Sequence, residues 1–382
     1  MADHADKRQN QSYWAIVRRQ FFKRRLAVVG LVLVIGMLMT ALLAPLLANN
    51  KPIVASIGGR LCFPAFVDYW EAFPVPDFVR LPLQRDVSMF SPRYDFLGNE
   101  EWKDFLTGRV RTEGELWGGF HKGAGGDWAL MPLIPYDFKE QHLAQRNKSP
   151  SDTELAGTQH YLGTDGSGRD VAARMIHGCI VAMTVGILSV GIYCTIGIFL
   201  GAIAGYFGGW VDMVFMRVVE VFLCFPTLFL ILAVAAAFNA GIYGIVILLG
   251  LIRWTGPARL IRGEILKNKQ SDYVIAARAL GLSNPRVIFR HLVPNSLAPV
   301  LVSATFGIST AILIESSLSF LGFGVKQPMA SWGEIGKQGR ELLSSGKMYL
   351  AILPGLATFV TITAFNLVGE GLRDAMDPRL KS

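Results

Sequence analysis

Six long apolar runs, the first, fourth and fifth of them flanked by short basic segments, constrain this chain more than any other feature. They lie near residues 26–47, 178–204, 211–238, 242–261, 294–320 and 348–368. A helix needs roughly 20 apolar residues to cross about 30 Å of hydrocarbon. Within lipid every backbone N–H and C=O must be satisfied by the protein itself, so runs of this length form helices. The expectation is an all-α membrane protein with six transmembrane helices. Composition agrees: 52% of the 382 residues are hydrophobic, mean hydropathy is +0.38 and only 17% are charged. Typical soluble domains carry about 25% charged residues. The 40 glycines suit helices that approach one another closely in lipid.

The net charge of +8 could point to nucleic acid. Its distribution points elsewhere, because the positive charge gathers beside the apolar runs, and no nucleic-acid partner is expected. Arg18, Arg19, Lys23, Arg24 and Arg25 precede the first run. A cleavable signal peptide would have an apolar stretch of only about 7–15 residues. A retained helix after a cytoplasmic segment, residues 1–25, fits better. Arg259, Arg262, Lys267, Lys269, Arg278, Arg286 and Arg290 crowd the connection between the fourth and fifth spans. An even number of spans places that connection, the N-terminus and the tail 371–382 on one side, and both charge clusters name it as cytoplasmic. Arg253, Gly256 and Pro257 interrupt the fourth span, so its inner end kinks or leaves the lipid.

The segment 48–176 then falls on the outer, periplasmic side. It differs from the rest in carrying Trp70, Trp102, Trp117 and Trp128, many prolines, and charge of both signs. Between Ala48 and His160 there are 12 Lys and Arg against 15 Asp and Glu, with none of the positive excess of the cytoplasmic segments. Its aromatics argue against simple disorder. Its apolar patches are short, which suggests an irregular cap on the membrane domain. Asn147-Lys148-Ser149 matches a glycosylation tripeptide, a match that chance often supplies.

No catalytic constellation emerges. Of the four cysteines, Cys179, Cys194 and Cys224 fall in apolar runs as packing residues, leaving Cys62 alone in the outer segment. The six histidines show no metal-ligand spacing. Gly346-Lys347 is followed by Met348 and has Glu341 where a phosphate-binding loop needs its first glycine. The glycine-rich stretch 163–170 lacks the strand–loop–helix context of such a loop and reads as a turn before the second span. The chain is not expected to bind ATP, a metal or another cofactor.

Several polar residues lie at or within the spans. Asp212, Arg217 and Glu220 open the third, with Arg217 and Glu220 spaced to pair on one helix face. Phe225-Pro226 should kink it. Glu315, deep in the fifth span, should face the bundle interior or water: it either lines a transport path or anchors a hydrogen-bond hub. Asn366 suits interhelical hydrogen bonding more than ligand binding. Glu315, Ser316, Ser319 and Asn366 are the candidate path residues.

Residues 271–294, SDYVIAARALGLSNPRVIFRHLVP, are polar and basic yet lie between two apolar runs. They read as a short amphipathic helix ending near Gly281, a turn, and a second helix with Pro285 at or near its first position. This stretch resembles the "EAA" coupling segment of ABC-importer permeases, in which two alanines and a glycine form the helix that enters a cleft on the ATPase. Further matches extend over residues 160–381: Leu162-Gly-Thr-Asp165 with Gly168-Arg-Asp170, Gly205-Tyr-Phe-Gly-Gly-Trp-Val-Asp212, Phe225-Pro226, and Arg290-His-Leu-Val-Pro-Asn295. They continue through Glu315–Gly322, Ser331-Trp-Gly333 and the ending 365–380. Together these resemble the C-type permease of dipeptide and oligopeptide ABC importers.

The resemblance implies a MetI-like permease core over 177–370, half of a heterodimer with a second homologous permease. It implies two ATPase subunits, or one fused ATPase, which bind ATP and Mg. It also implies a periplasmic peptide-binding protein, a peptide substrate, and a place in the bacterial inner membrane. Carried over residue by residue, it assigns ATPase coupling to Asp272, Tyr273, Ala276, Ala277, Arg278, Gly281, Ser283 and Arg286. Two departures stand out. Ile275 replaces the Glu that commonly precedes the two alanines, making that contact apolar. The outer segment is longer than in ordinary peptide permeases and looks like that of the Yej-type permease, associated with oligopeptides and microcin C. Three alternatives are an importer for another solute such as nickel, an ion-coupled secondary transporter, and a membrane-anchored scaffold. The secondary transporter would want an inverted repeat and further midplane charges. The scaffold leaves 271–294 unexplained.

Overall fold

The computed structural model describes residues 13–57, 60–63, 65, 120–122, 128–150, 160–238 and 241–376. Most of the outer segment, including Trp70, Trp102 and Trp117, lies outside the described residues, as do the first 12 residues and the last six. Among the described residues, five helices are long and apolar enough to cross a membrane, or six if one bent pair counts as a single span.

Helix α1, Tyr13–Lys23, leads into α2, Arg25–Leu47, the first span. The outer segment is not wholly irregular. Strands β1 (Val54–Ile57), β2 (Arg60–Cys62), β3 (Phe120–Lys122) and β4 (Trp128–Leu130) form an antiparallel sheet in the order β2-β1-β4-β3. The sheet escaped the sequence reading because each strand has only three or four residues and β3 joins from far along the chain.

Helix α3 spans Val171–Phe207, 37 residues and so about 55 Å. It starts seven residues before the expected span. Arg174 and His177 break the apolar pattern but are buried within the helix. The third span is two helices, α4 (Gly209–Cys224) and α5 (Thr227–Phe238), bent by 77° at Phe225-Pro226. Pro226 has no N–H for the helical ladder, which accounts for a break at this place. The fourth span comprises α6 (Ile242–Arg253) and α7 (Thr255–Asn268), divided at Trp254 and otherwise continuous. The expected interruption there is a single residue, and Pro257 sits in the first turn of α7, where its missing donor costs little. Helix α8 is Asp272–Ala279; α9 covers 284–296 in three stretches; α10 is Ala298–Leu321, α11 Trp332–Glu341 and α12 Tyr349–Met376.

The contacts divide the chain into two compact units, one of residues 1–36, 185–314 and 359–382, the other of 37–184 and 315–358. In the first, Gly197, Gly201 and Gly205 recur every fourth residue on α3 and face α7. A Cβ on Gly201 would stand 2.2 Å from the Ala258 carbonyl oxygen, and one on Gly197 2.7 Å from that of Trp254. This small-residue stripe sets the close crossing of α3 and α7. Where α4 meets α7, Asp212 accepts both Nε and Nη2 of Arg262, the latter at 2.6 Å. The Arg217–Glu220 pair forms as expected, exposed, at 2.6 Å. In the second unit, Trp332 of α11 donates from Nε1 to the Met175 carbonyl at 3.0 Å and lies on Gly178, whose hydrogen alone leaves room for the indole.

Candidate functional site

The coupling candidate is built from the end of α7, α8, the turn at Gly281, and α9. Helix α8 ends in a Schellman arrangement. The Leu282 N–H donates to the Ala277 carbonyl at 3.2 Å and the Gly281 N–H to that of Arg278 at 2.9 Å. Gly281 has φ +76° and open space around it, so backbone conformation, not packing, is what demands glycine. Pro285 opens α9 as its first turn allows. Residues Val287–Leu292 then widen into a π-helix, with the Val293 N–H reaching the Ile288 carbonyl. The wide turn sits just before Pro294, which has no N–H and crowds the preceding carbonyls. The Asn295 amide donates instead to the His291 carbonyl at 2.8 Å.

The burial of α8 corrects one expectation. Ala276 and Ala277 are both expected to face a partner, but only Ala276 is exposed. Ala277 is 5% exposed and packs with Val274, Ile261, Ile265, Val287 and Leu292 inside the permease itself. Its small size serves the seating of α8 on this chain. The exposed surface includes Asp272, Tyr273, Ile275, Ala276, Arg278, Leu280, Gly281, Ser283 and Arg286, with Leu280 the most exposed apolar side chain at 82%. Burial pushes the Tyr273 hydroxyl pKa up, against a hydrogen bond with Asn295 that lowers it, and the group is neutral at working pH.

Sequence reasoning gives no role to Tyr206, and the geometry does. This buried residue at the end of α3 touches both halves of the segment. Its ring lies under the Arg278 guanidinium at 4.8 Å, and its hydroxyl donates to Asn284 Oδ1 at 2.7 Å. Nearby, Lys269 Nζ donates to the Gly205 carbonyl at 3.2 Å and the Asn268 amide to Ser296 Oγ at 3.1 Å. The segment is therefore braced on α3, leaving one face free. The motif around Gly205 was the available signal, but nothing in it names the contacts.

Three of the candidate path residues, Glu315, Ser316 and Ser319, lie together at the end of α10. Glu315 is fully enclosed: Ser319 and Ser331 donate to Oε1 at 2.7 and 2.8 Å, and Ser316 to Oε2 at 3.4 Å. Ser331 in turn caps α11 by accepting from the Gly333 N–H at 3.2 Å. Gly333 sits so close that a Cβ would stand 2.2 Å from the Ser316 carbonyl oxygen. Of the two readings of Glu315, this geometry supports the hub: three serines anchor a buried carboxylate that ties α10 to α11. Ser316 also borders an apolar groove of about 420 Å³ with Phe320, Gly336 and Pro354. Asn366 is half-buried in α12, in the other compact unit.

The stretch 162–170 folds as a turn. Asp165 Oδ1 accepts the N–H groups of Ser167 and Arg169 at 2.8 and 3.0 Å, the donors a phosphate loop would offer its ligand. Asp165 Oδ2 holds Arg169 Nε at 2.8 Å and lies 3.4 Å from Arg174 Nε. Arg174 also pairs with Glu334, which accepts from the amides of Gln327 and Gln338 at 2.7 and 2.6 Å. Asp170 caps α3 by accepting the Ala173 N–H at 2.6 Å and meets His160 Nδ1 at 2.8 Å. Asp165, Arg169, Arg174 and Glu334 are all buried, so this network fixes the start of α3 against α11.

Residues 197–382 match the model of the family described as binding-protein-dependent transport system inner membrane component. Residues 12–57 match the N-terminal transmembrane domain of oligopeptide transport permease C. The chain is 37% identical over 303 residues to the glutathione transport system permease protein GsiD of Pectobacterium atrosepticum, covering 79% of this chain and 96% of that one. It is 40% identical over 247 residues to the oligopeptide transport system permease protein OppC of Haemophilus influenzae, covering 65% and 78%. It is 33% identical over 363 residues to the peptidoglycan transport system permease protein YejE of Agrobacterium fabrum, covering 89% and 86%. The braced helix-turn-helix, the apolar spans and these matches lead to one statement: the chain belongs to the binding-protein-dependent transport system inner membrane component family, the membrane permeases of ABC importers.

Proposed function

We propose that this chain is one transmembrane permease of an ATP-driven importer for peptides and peptide-containing compounds. The exposed face of α8 and the following turn carries the reading: Ile275 and Leu280 are 56% and 82% exposed in an otherwise polar, basic segment that Tyr206 braces from behind. Exposed apolar side chains on a segment braced from behind suit insertion into a protein cleft. The cleft belongs to an ABC ATPase, one of two subunits or half of a fused chain, which binds ATP and Mg. A second homologous permease supplies the other half of the path, and a periplasmic peptide-binding protein delivers substrate. The chain lies in the bacterial inner membrane with both termini cytoplasmic, as its basic flanks favour. It performs no chemistry itself. Closure of the ATPases pushes on 272–292, and the brace passes that push to α3 and α7.

The relatives' names run through dipeptides, oligopeptides, glutathione and peptidoglycan. All of these carry amide-linked amino acids, which supports a peptide over nickel. The YejE match favours a Yej-type permease for a specific reason. It leaves about a tenth of this chain uncovered, far less than the 48–176 segment, so most of that segment has a counterpart there. The test is uptake into proteoliposomes holding the complete transporter, with labelled dipeptides, longer peptides, peptidoglycan peptides and nickel offered in turn. ATP-dependent uptake of a peptide-bearing compound is expected. Uptake driven by an ion gradient without ATP would overturn the assignment.

A further inference from the structure

We propose that α1 is a membrane-surface anchor that binds anionic phospholipid headgroups. The helix ends two residues before the first span begins at Arg25, so it is held where α2 meets the membrane boundary. One face is already occupied. Val17 and Phe21 are 5% and 8% exposed and pack on Ala27, Ala375 and Met376, while Arg24 pairs with Asp374. The opposite face is exposed and has a specific composition. At 3.6 residues per turn, Trp14, Arg18 and Phe22 stack along one line, with Arg19 and Lys23 on the line beside it. Trp14 and Phe22 are 54% and 56% exposed, and Arg18, Arg19, Lys23 and Arg25 are exposed too. No Asp or Glu lies between Tyr13 and Arg25.

Aromatic rings beside long basic side chains suit the headgroup layer: the rings enter the acyl boundary while the cations reach phosphate. A cleft on a protein partner would be expected to offer this face carboxylates and a shape to fit. A membrane offers it a plane, and the chain already fixes the helix at that plane through α2. The commitment is therefore to lipid, and to the anionic class, because among the described residues the face carries four exposed cations and no carboxylate. This inference requires only that the chain spans a membrane and is independent of what is transported.

The test places a bimane dye at Ala15→Cys, exposed on this face, in full-length protein with its four native cysteines replaced. The protein, with its bound subunits, is put into nanodiscs containing brominated phosphatidylglycerol or brominated phosphatidylcholine at equal mole fraction. Phosphatidylglycerol should quench preferentially, by about fivefold or more in apparent affinity, the factor that one basic residue near an anionic surface supplies. High salt should shrink the preference, and Arg18→Gln, Arg19→Gln and Lys23→Gln together should abolish it. The same dye at Val32, 63% exposed within α2, should show none. Equal quenching by the two lipids would overturn the proposal. So would quenching by aqueous iodide alone, which means a face in water, and so would quenching by nothing, which means a face covered by protein.

Discussion

Tyr206 offers the sharpest perturbation of the coupling account, because one side chain holds both halves of the segment. Tyr206→Phe keeps the ring under Arg278 and removes a 2.7 Å hydrogen bond to Asn284. Asn284 is exposed and regains water, so the loss is about 0.5–1 kcal/mol. Tyr206→Leu removes the ring as well, adding the roughly 0.5–1 kcal/mol of a partly exposed cation–π contact. The Leu variant therefore shifts the equilibrium between held and released segment by about 1–2 kcal/mol, roughly 5- to 30-fold. Tyr206 lies behind the segment and both variants keep the exposed Ile275, Ala276 and Leu280, so recovery of ATPase with the purified permease should be normal. The number of ATP molecules hydrolysed per peptide imported should rise slightly for Phe and several-fold for Leu. Proteoliposomes in which uptake and hydrolysis are measured together give that ratio. A Leu variant with the wild-type ratio would refute the brace.

Gly201→Leu should separate α3 from α7, since even a Cβ would overlap the Ala258 carbonyl oxygen; overpacking of this kind costs about 1–3 kcal/mol, read as a lower melting temperature in detergent, with Gly201→Ala milder. Glu334→Gln leaves Arg174 buried without its main partner, a loss of about 3–5 kcal/mol for a broken buried pair, and should make the 160–175 turn sensitive to protease; unchanged resistance would argue against the network. For topology, a cysteine at Leu143, 58% exposed, should react with impermeant maleimide in intact cells whose outer membrane is permeabilised, whereas one at Leu280 should not, and the reverse pattern would invert the orientation.

The spans were legible because hydropathy is a local property of the chain, and so were the turn at 163–170 and the left-handed glycine at 281, each written in a few adjacent residues. What escaped depends on distant partners. Arg174 looked like the edge of a span because its carboxylate, Glu334, lies 160 residues away. The Asp212–Arg262 pair and the Tyr206 brace join segments 50 and 78 residues apart. The orientation of α8 was hidden for a different reason. Val274 and Ala277 are apolar on one face, Ile275, Ala276 and Leu280 on the other, so periodicity alone cannot say which face turns inward. The small sheet in the outer segment is too short in each strand to impose an alternating pattern.

That orientation decides how coupling is best tested. A charge at Ala277 would enter the permease's own core and destabilise α8 whatever its partner, so it cannot report on docking. Leu280→Asp can, because the side chain is 82% exposed and the change leaves the fold of this chain undisturbed. The direct measurement is ATPase recovery in affinity purification together with ATP-dependent peptide uptake, wild type and Leu280→Asp side by side, at equal levels of membrane-inserted permease. The account predicts that the variant inserts normally, retains little ATPase and loses most of its uptake. Normal ATPase recovery with full uptake would contradict the assignment of 272–286 as the coupling face.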